Sequence, residues 1–288
     1  MRKFTLFHLS LIPVSQMDFE TPDLTRAEWL KTALQANFEF EHRAGKVVHW
    51  VALEANEACI VGVLQKTRLH RHHLPPDGGG SETETDEWQG AYLLLDPRPH
   101  DKGQRVAVEN DLVGSPPALL KSLVAAINKR HDKPFQIEVE PIWDSTHFWN
   151  FSKTHGDVLR SITFEFVVPN MWGTEDDISK GLEGTGKGTG AERVAVTLEG
   201  ARGVGTNNKI IKDGVSYAEK GAGTLKAKAL TGENFSSSTK PETSTISMVK
   251  GKRLVPDFLL KLKDYILGYK KDDAMVDVAV SDDRINNN

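Results

Sequence analysis

The sequence has little of what many catalytic or membrane functions need. It holds one cysteine in 288 residues, Cys59, which excludes an internal disulfide framework and agrees with a reducing cytoplasm. Its longest apolar runs, CIVGVL from Cys59 and YLLL from Tyr92, are far shorter than the roughly 20 residues that cross a bilayer. We therefore expect a cytoplasmic protein without membrane insertion, in which Cys59 is a buried structural thiol on an apolar strand.

The N-terminal segment MRKFTLFHLSLIPVSQ has a basic start and an apolar body, which are features of a signal peptide. However, His8 and Ser10 interrupt the apolar part, and no small-residue cleavage site follows. We therefore interpret the apolar positions from Phe4 to Leu11 as the first β-strand.

Common catalytic motifs are also missing, since the sequence has no GxSxG turn, no HExxH helix and no CxxC pair. The stretch GLEGTGKGTG, from Gly181 to Gly190, matches the GxxxxGK spacing of a nucleotide-binding P-loop. A P-loop also requires a preceding buried strand, a Ser or Thr after the lysine and a following helix. Here Gly188 follows Lys187, an acidic segment precedes the stretch and a strand pattern follows it. We therefore interpret the stretch as a flexible connector.

Metal-ligating residues are concentrated in the segment RLHRHHL. Its candidate ligands for zinc or nickel are His70, His72 and His73. Adjacent residues of a strand point to opposite faces and Arg71 separates the histidines, so a closed site needs distant carboxylates. A solvated basic loop is the favoured interpretation, and no cofactor is expected. Glu138 and Glu140 share a strand face, but no lysine completes the set that a metal-dependent nuclease needs.

The hydrophobic pattern predicts an α+β fold of two lobes, with mixed or antiparallel sheets covered by helices. We expect an N-terminal α+β domain over residues 1–155, which contains a long exposed His- and Gly-rich loop at residues 70–88. A basic C-terminal α+β domain follows over residues 156–270, and residues 271–288 form an acidic tail.

Several elements are clear from local pattern. Thr25 and Glu28 form a capping pair in front of a helix. KVVHWVALEA and ACIVGVLQKTRL predict a hairpin around Asn56 and Glu57. SPPALLKSLVAAINKR predicts a helix with Ser115 as its cap, and FQIEVEPI predicts a strand with its apolar residues inward and its polar residues outward.

The net charge of -4 is unevenly distributed along the chain. Residues 1–190 carry 20 basic and 27 acidic side chains, residues 191–271 carry 15 and 8, and residues 272–288 carry 1 and 5. An electrostatic interface for an anionic partner therefore belongs between residues 191 and 271, where the net charge is +7.

This basic segment ends in VKGKRLVPDFLLKLKDYILGYKK, which predicts an amphipathic helix with Phe258, Leu259, Leu262, Ile266 and Tyr269 on its apolar stripe. Aligned cations neutralise phosphates, and sequence-independent DNA binding needs little else. The alternative is a packed helix with solubilising lysines. The candidate nucleic-acid-binding residues of the whole segment are Lys209, Lys212, Lys226, Lys228, Lys250, Lys252, Arg253, Lys261, Lys263, Lys270 and Lys271.

Aromatic residues cluster around the segment DSTHFWNFSK. They suit one of two roles, stacking on unpaired bases or packing at a domain junction, and their density favours packing. These residues are Trp143, Phe148, Trp149 and Phe151.

From AYLLLD to the last helix, the order of elements resembles that of the RexA-like phage exclusion proteins. The matching pattern consists of FQIEVEPIW, a short aromatic and polar segment, LRSITFEFVVP, a glycine-containing connector, ERVAVTLEG, IIKDGVSYAEKGAGTLKAKALTGENFSSS and a final amphipathic helix. The layout is also similar to that of the B component of Kiwa and of other uncharacterised phage-defence families. The resemblance spans roughly residues 90 to 270, rests on pattern rather than on invariant motifs, and transfers no functional residue.

The resemblance implies a cytoplasmic protein that binds DNA with little sequence preference, forms a homodimer and acts in phage defence with a separate effector protein. Our leading hypothesis is a DNA-binding sensor or regulator in anti-phage defence, phage exclusion or abortive infection, rather than an enzyme. Two alternatives stay open. One is a metal-dependent nuclease or hydrolase that uses His70, His72 or His73 with carboxylates brought near by folding, and the other is a protein-interaction scaffold.

Overall fold

The computed structural model describes residues 1–14, 25–73, 75–98, 104–110, 115–130, 134–167, 193–219, 223–246 and 255–269, together with residues 189 and 191. The chain adopts an α+β fold in which antiparallel sheets are covered by helices, as the sequence predicts. Within the described residues, no helix is long and apolar enough to cross a membrane.

The described chain divides into strands and short helices. The strands are β1 (Arg2–Pro13), β2 (Phe38–His42), β3 (Lys46–Ala55), β4 (Ile60–His73), β5 (Glu82–Leu95), β6 (Gln104–Glu109), β7 (Phe135–Pro141), β8 (Val158–Val167), β9 (Arg193–Gly205), β10 (Gly223–Ala229), β11 (Asn234–Ser236) and β12 (Thr243–Ile246). The α-helices are α1 (Arg26–Leu34), α2 (Pro116–Asn128), α3 (Thr146–Thr154), α4 (Lys209–Tyr217), α5 (Pro256–Lys261) and α6 (Lys263–Ile266). Single 3₁₀ turns cover Arg43–Gly45, Pro76–Gly78 and Ser237–Thr239.

The first sheet runs in the order β12, β1, β6, β5, β4, β3, β2. β12 pairs with the start of β1, and β7 pairs with its second half. β3 and β4 form the predicted hairpin. Asn56 closes it, because its side-chain oxygen accepts hydrogen bonds from the backbone N–H groups of Ala58 and Cys59.

Helices cover both faces of the central strands of this sheet. α1 and α2 cover one face, where residues such as Leu93 and Val106 belong to the larger of the two apolar clusters of this sheet. α5 and α6 bury the other face, with residues such as Phe4 and Leu94. Strands that are buried on both sides need apolar residues at every position. This burial explains the continuous runs CIVGVL and YLLL in the sequence.

Both predicted helix caps are at the expected positions, but only one of them forms capping hydrogen bonds through its side chain. Glu28 N–H donates to Thr25 Oγ1 at 3.3 Å, and Thr25 N–H donates to Glu28 Oε2 at 2.7 Å, so the predicted capping box at α1 is present. Ser115 is the N-cap residue of α2, as predicted, but its side chain makes no capping hydrogen bond. The helix begins with Pro116, whose missing N–H needs no cap.

The second sheet has the order β11, β10, β8, β9 in the described residues. α3 and α4 cover one of its faces, where Phe148 and Ile211 join a buried cluster with Ile162 and Phe164. Gly214 allows α4 to approach the sheet, because a Cβ there would lie 2.9 Å from the ring of Phe164. The opposite face of this sheet carries polar side chains.

The two sheets do not divide at the boundary predicted between residues 155 and 156. α3 precedes that boundary but packs on the second sheet. β12, α5 and α6 follow it but return to the first sheet, through pairing with β1 and burial against its face. Apolar pattern reveals which residues are buried but not which sheet buries them. The predicted acidic tail at 271–288 and the connector GLEGTGKGTG, except for Thr189, lie outside the described residues.

The long exposed loop predicted at residues 70–88 is wrong for most of its length. β4 continues to His73 and β5 resumes at Glu82, and the two strands stay paired up to these ends. β3 pairs with β4 only as far as Gln65, and β6 pairs with β5 only from Leu93. Residues 66–73 and 82–89 therefore form a two-stranded arm beyond the sheet. Thr, Trp and cross-strand pairs of opposite charge favour this ribbon despite its polar composition.

The C-terminal helix predicted as one element is divided in two. Leu262 has non-helical dihedral angles and separates α5 from α6, and Gly268 ends the segment with φ +70°. The predicted apolar stripe is present, since Leu259, Leu262 and Ile266 are buried against the first sheet.

Candidate nucleic-acid interface

Six of the eleven predicted nucleic-acid-binding residues lie in the described part of the chain. They are Lys209, Lys212, Lys226, Lys228, Lys261 and Lys263. The others, Lys250, Lys252, Arg253, Lys270 and Lys271, lie outside the described residues. From residue 193 to residue 269, the described ranges contain nine basic and seven acidic side chains. The net charge of these ranges is small, so a cationic surface there depends on where the basic side chains lie in the fold.

Lys226 and Lys228 stand side by side on the exposed face of β10. They alternate with Leu225, Ala227 and Ala229, which are buried against the helices. Their ammonium groups therefore project from the side of the sheet opposite to α3 and α4.

Hydroxyl and amide side chains surround this lysine pair. Residues directly opposite each other in an antiparallel sheet project from the same face. By this register the neighbours of Lys226 and Lys228 are Ser161, Thr163, Asn234 and Ser236, and Thr197 follows beside Thr163 on β9. The Oγ1 atoms of Thr163 and Thr197 lie 3.1 Å apart. We call the surface formed by these residues and the two lysines the open face.

The electrostatics of the two lysines differ. Lys226 Nζ contacts Glu165 Oε1 at 2.5 Å, and the hydrogen bond from Lys226 is the main cause that lowers the pKa of Glu165. Lys228 is exposed and forms no ion pair with any described residue. Glu199 lies on the same face, opposite Ser161. The open face is therefore a mixed surface on which Lys228 is the more available cation.

The remaining described lysines lie elsewhere. Lys209 and Lys212 belong to α4, on the covered side of the second sheet. Lys263 is a structural contact, because its Nζ donates to the Ala58 carbonyl oxygen at 3.1 Å and joins α6 to the β3–β4 turn. Lys261 is exposed on α5. The structure thus separates the predicted residues instead of bringing all of them into one patch.

The three predicted metal ligands do not converge. His70 and His72 project from one face of the arm and His73 from the other, as the alternation of β4 requires. His70 Nε2 lies 2.9 Å from Glu87 Oε2, so this histidine pairs across the ribbon. Among the described residues, no group of three or more His, Cys, Asp or Glu side chains is placed to hold a metal ion.

Glu140 lies on the same side of β7 as Glu138, away from Ile137 and Val139 as predicted, but it is buried there. The two glutamates share Arg193 of β9. Arg193 Nη2 donates to Glu140 Oε1 at 2.7 Å and also to Glu138 Oε2. Burial tends to lower the pKa of Arg193, but hydrogen bonds to the two carboxylates outweigh it and raise the pKa. The glutamate pair is therefore an ionic link between β7 and β9.

Cys59 is completely buried, as predicted. Burial raises the pKa of its thiol to about 12, so the thiolate is negligible at neutral pH. A nucleophilic role for this cysteine is excluded by its environment.

The aromatic cluster serves mainly as packing. Trp143 and Phe148 are buried in the second core, where the Trp143 indole N–H donates to the Ala218 carbonyl oxygen at 3.1 Å. Trp149 and Phe151 are only partly buried. Sequence reasoning did not connect Trp149 with Asp157 and Lys212, although these residues line a common cleft. The signal was absent because they belong to three separate elements.

No protein-family model, curated protein or solved structure matches this chain significantly. We therefore infer a function from the chemistry of the protein's own surfaces.

Proposed function

We propose that this protein binds DNA without sequence preference through the open face and acts as a sensor or regulator in anti-phage defence. The observation that carries the DNA-binding part is the exposed pair Lys226 and Lys228, set among hydroxyl and amide side chains on the sheet face that no described helix covers. Lys, Ser, Thr and Asn are the side chains that contact phosphate and sugar in protein–DNA complexes.

The composition of the open face supports backbone contact rather than base recognition. Short hydroxyl side chains and lysines on a flat sheet reach phosphates, and such contacts carry no sequence information. The ion pair between Lys226 and Glu165 is exposed, so little free energy is lost when Lys226 leaves Glu165 to bind a phosphate. Lys228 has no ion pair with a described residue to break.

The defence role is supported by the resemblance to RexA-like phage exclusion proteins. It carries the expectations of a cytoplasmic homodimer and of a separate effector protein that responds to DNA binding. A test of the open face does not decide the defence role, the homodimer or the effector protein, which need tests of their own.

A second candidate function, a protein-interaction scaffold, is favoured by the arm. Leu69 and Trp88 are 52% and 55% exposed there, on a ribbon that no other described strand covers. Exposed aromatic residues of this kind anchor protein interfaces. A stable protein complex without DNA retention would identify the scaffold as the function.

The experiment that tests the proposal compares two double variants in a DNA filter-binding assay. Lys226→Gln with Lys228→Gln removes both lysines of the open face. Lys121→Gln with Lys129→Gln removes the same charge at exposed positions in and next to α2, on the first sheet. We expect the first variant to lose about tenfold in affinity at low salt and the control to change less than about twofold.

The loss should be equal for two duplexes of unrelated sequence, because phosphate contacts are independent of sequence. Equal losses in the two variants would show that only net charge matters and would reject the open face. Absence of binding at low salt in the unmodified protein would reject DNA binding itself.

A further inference from the structure

A small open cleft lies beside the covered side of the second sheet, between α3, the turn that leads into β8 and the start of α4. Its volume is about 190 Å³, and its lining residues are Trp149, Asp157, Thr206, Asn207 and Lys212. Sites for drug-sized ligands measure roughly 300 to 1,000 Å³. The cleft therefore suits a small ligand rather than an extended cofactor.

Buried hydrogen bonds fix the carboxylate of Asp157 at one wall. Ser152 Oγ donates to Asp157 Oδ1 at 3.0 Å and lies 2.7 Å from Thr206 Oγ1. The Thr206 N–H donates to the Asp157 carbonyl oxygen at 2.9 Å. Ser152 and Thr206 are both buried. Asp157 is therefore oriented before any ligand arrives, and its Oδ2 has no hydrogen-bond partner among the described residues.

Asp157 also occupies an unusual backbone conformation. Its φ is +58°, directly after Gly156 at +71°. Asp and Asn tolerate the left-handed region better than other non-glycine residues. An asparagine at this position can thus remove the charge while the turn is kept.

The lining also contains a cation and an aromatic side chain. Lys212 is exposed and forms no ion pair with any described residue, although Asp157 lines the same cleft. The Asn208 side chain caps α4 by accepting from the Ile211 N–H at 3.0 Å, which fixes the turn on which Lys212 sits. Trp149 packs its ring edge to face with Phe148, with centroids 5.0 Å apart, and this contact holds the indole at the cleft.

We infer that this cleft binds one nucleotide unit, with the base against Trp149 and the phosphate at Lys212. Aromatic side chains stack on any base, a lysine pairs with phosphate, and a carboxylate accepts from sugar hydroxyls or base amino groups. An apolar ligand does not explain a fixed Asp157 carboxylate and the Lys212 ammonium group in the lining of one cleft. The nucleotide is either free in solution or an unpaired residue of a nucleic-acid strand.

This site is independent of the open face, because it lies on the other side of the second sheet. Lys121→Gln, at an exposed position of α2 on the first sheet, is the matched control for Lys212→Gln. Both substitutions remove one exposed lysine charge, and neither residue belongs to the buried core.

The test is calorimetric titration of the full chain with adenosine 5′-monophosphate and, separately, with a short single-stranded DNA. We expect saturable binding of at least one probe below about 1 mM, weakened about tenfold by Lys212→Gln and by Trp149→Ala and less than about twofold by Lys121→Gln. Asp157→Asn should also weaken binding. The probe that binds identifies the source of the nucleotide.

Trp149→Ala removes partly buried surface, so circular dichroism must show that this variant is folded, and Lys212→Gln provides the test if it is not. The inference is overturned if neither probe binds, or if binding is as strong in Lys212→Gln as in the unmodified protein. It is also overturned if Lys121→Gln weakens nucleotide binding as much as Lys212→Gln does. Failure of duplex binding at the open face can be told apart from failure of nucleotide binding at the cleft, because the filter-binding variants change no residue that lines the cleft.

Discussion

At the scale of single residues, Trp50 shows how closely the first sheet is packed. Its indole is completely buried, and its N–H donates to the Leu34 carbonyl oxygen at 2.8 Å, which links β3 to the end of α1. The ring lies directly over Gly62 on β4. A Cβ at position 62 would overlap three atoms of that ring. Gly62 is therefore required by close approach and not by its backbone angles.

We predict that Gly62→Ala destabilises the protein by about 3 kcal/mol, because a rigid buried ring has to move or the strands have to separate. Gly205→Ala on β9 is the control, since a Cβ there meets no atom within 4 Å. That variant should change the free energy of unfolding by less than about 1 kcal/mol. Urea unfolding measures both. Similar free energies for the two variants would contradict the packing described for Trp50.

At the scale of secondary-structure elements, the arm is the feature that the sequence predicts least well. Alternating hydrophobicity identifies a strand only when one of its faces is buried. Both faces of the arm are exposed, and the segment DGGG at its tip has the composition of a loop. In contrast, β7 and α2 have buried faces, and their patterns predict them closely. The ion pair between Arg71 and Glu84, whose Nε and Oε1 atoms lie 2.6 Å apart, can be predicted only when the register between β4 and β5 is known.

We predict that the fold does not depend on the arm. None of residues 66–73 and 82–89 belongs to a buried apolar cluster of the described chain. Replacing residues 66–89 with an Asn-Gly turn should leave a folded protein whose free energy of unfolding changes by about 1 kcal/mol or less. Circular dichroism and urea unfolding check this result. A variant without a cooperative unfolding transition would show that the arm stabilises the sheet.

At the scale of the whole molecule, function depends on surfaces that distant segments build together. The sequence predicts the basic segment and includes Lys226 and Lys228 in it. It does not predict that these lysines face away from Lys209 and Lys212, because sheet pairing and helix packing decide that arrangement. The cleft is even harder to predict from the sequence, since Trp149, Asp157 and Lys212 share no local sequence pattern. Charge distribution thus gives the region of the proposed interface but not its geometry.

The salt dependence of duplex binding tests whether DNA is held by phosphate contacts at the open face. Each lysine–phosphate contact contributes about one unit to the slope of log affinity against log salt concentration. We expect a steep negative slope for the unmodified protein, and a slope shallower by about 2 for Lys226→Gln with Lys228→Gln. An unchanged slope in that variant, or equal retention at low and high salt, would show that the open face does not hold DNA through these lysines.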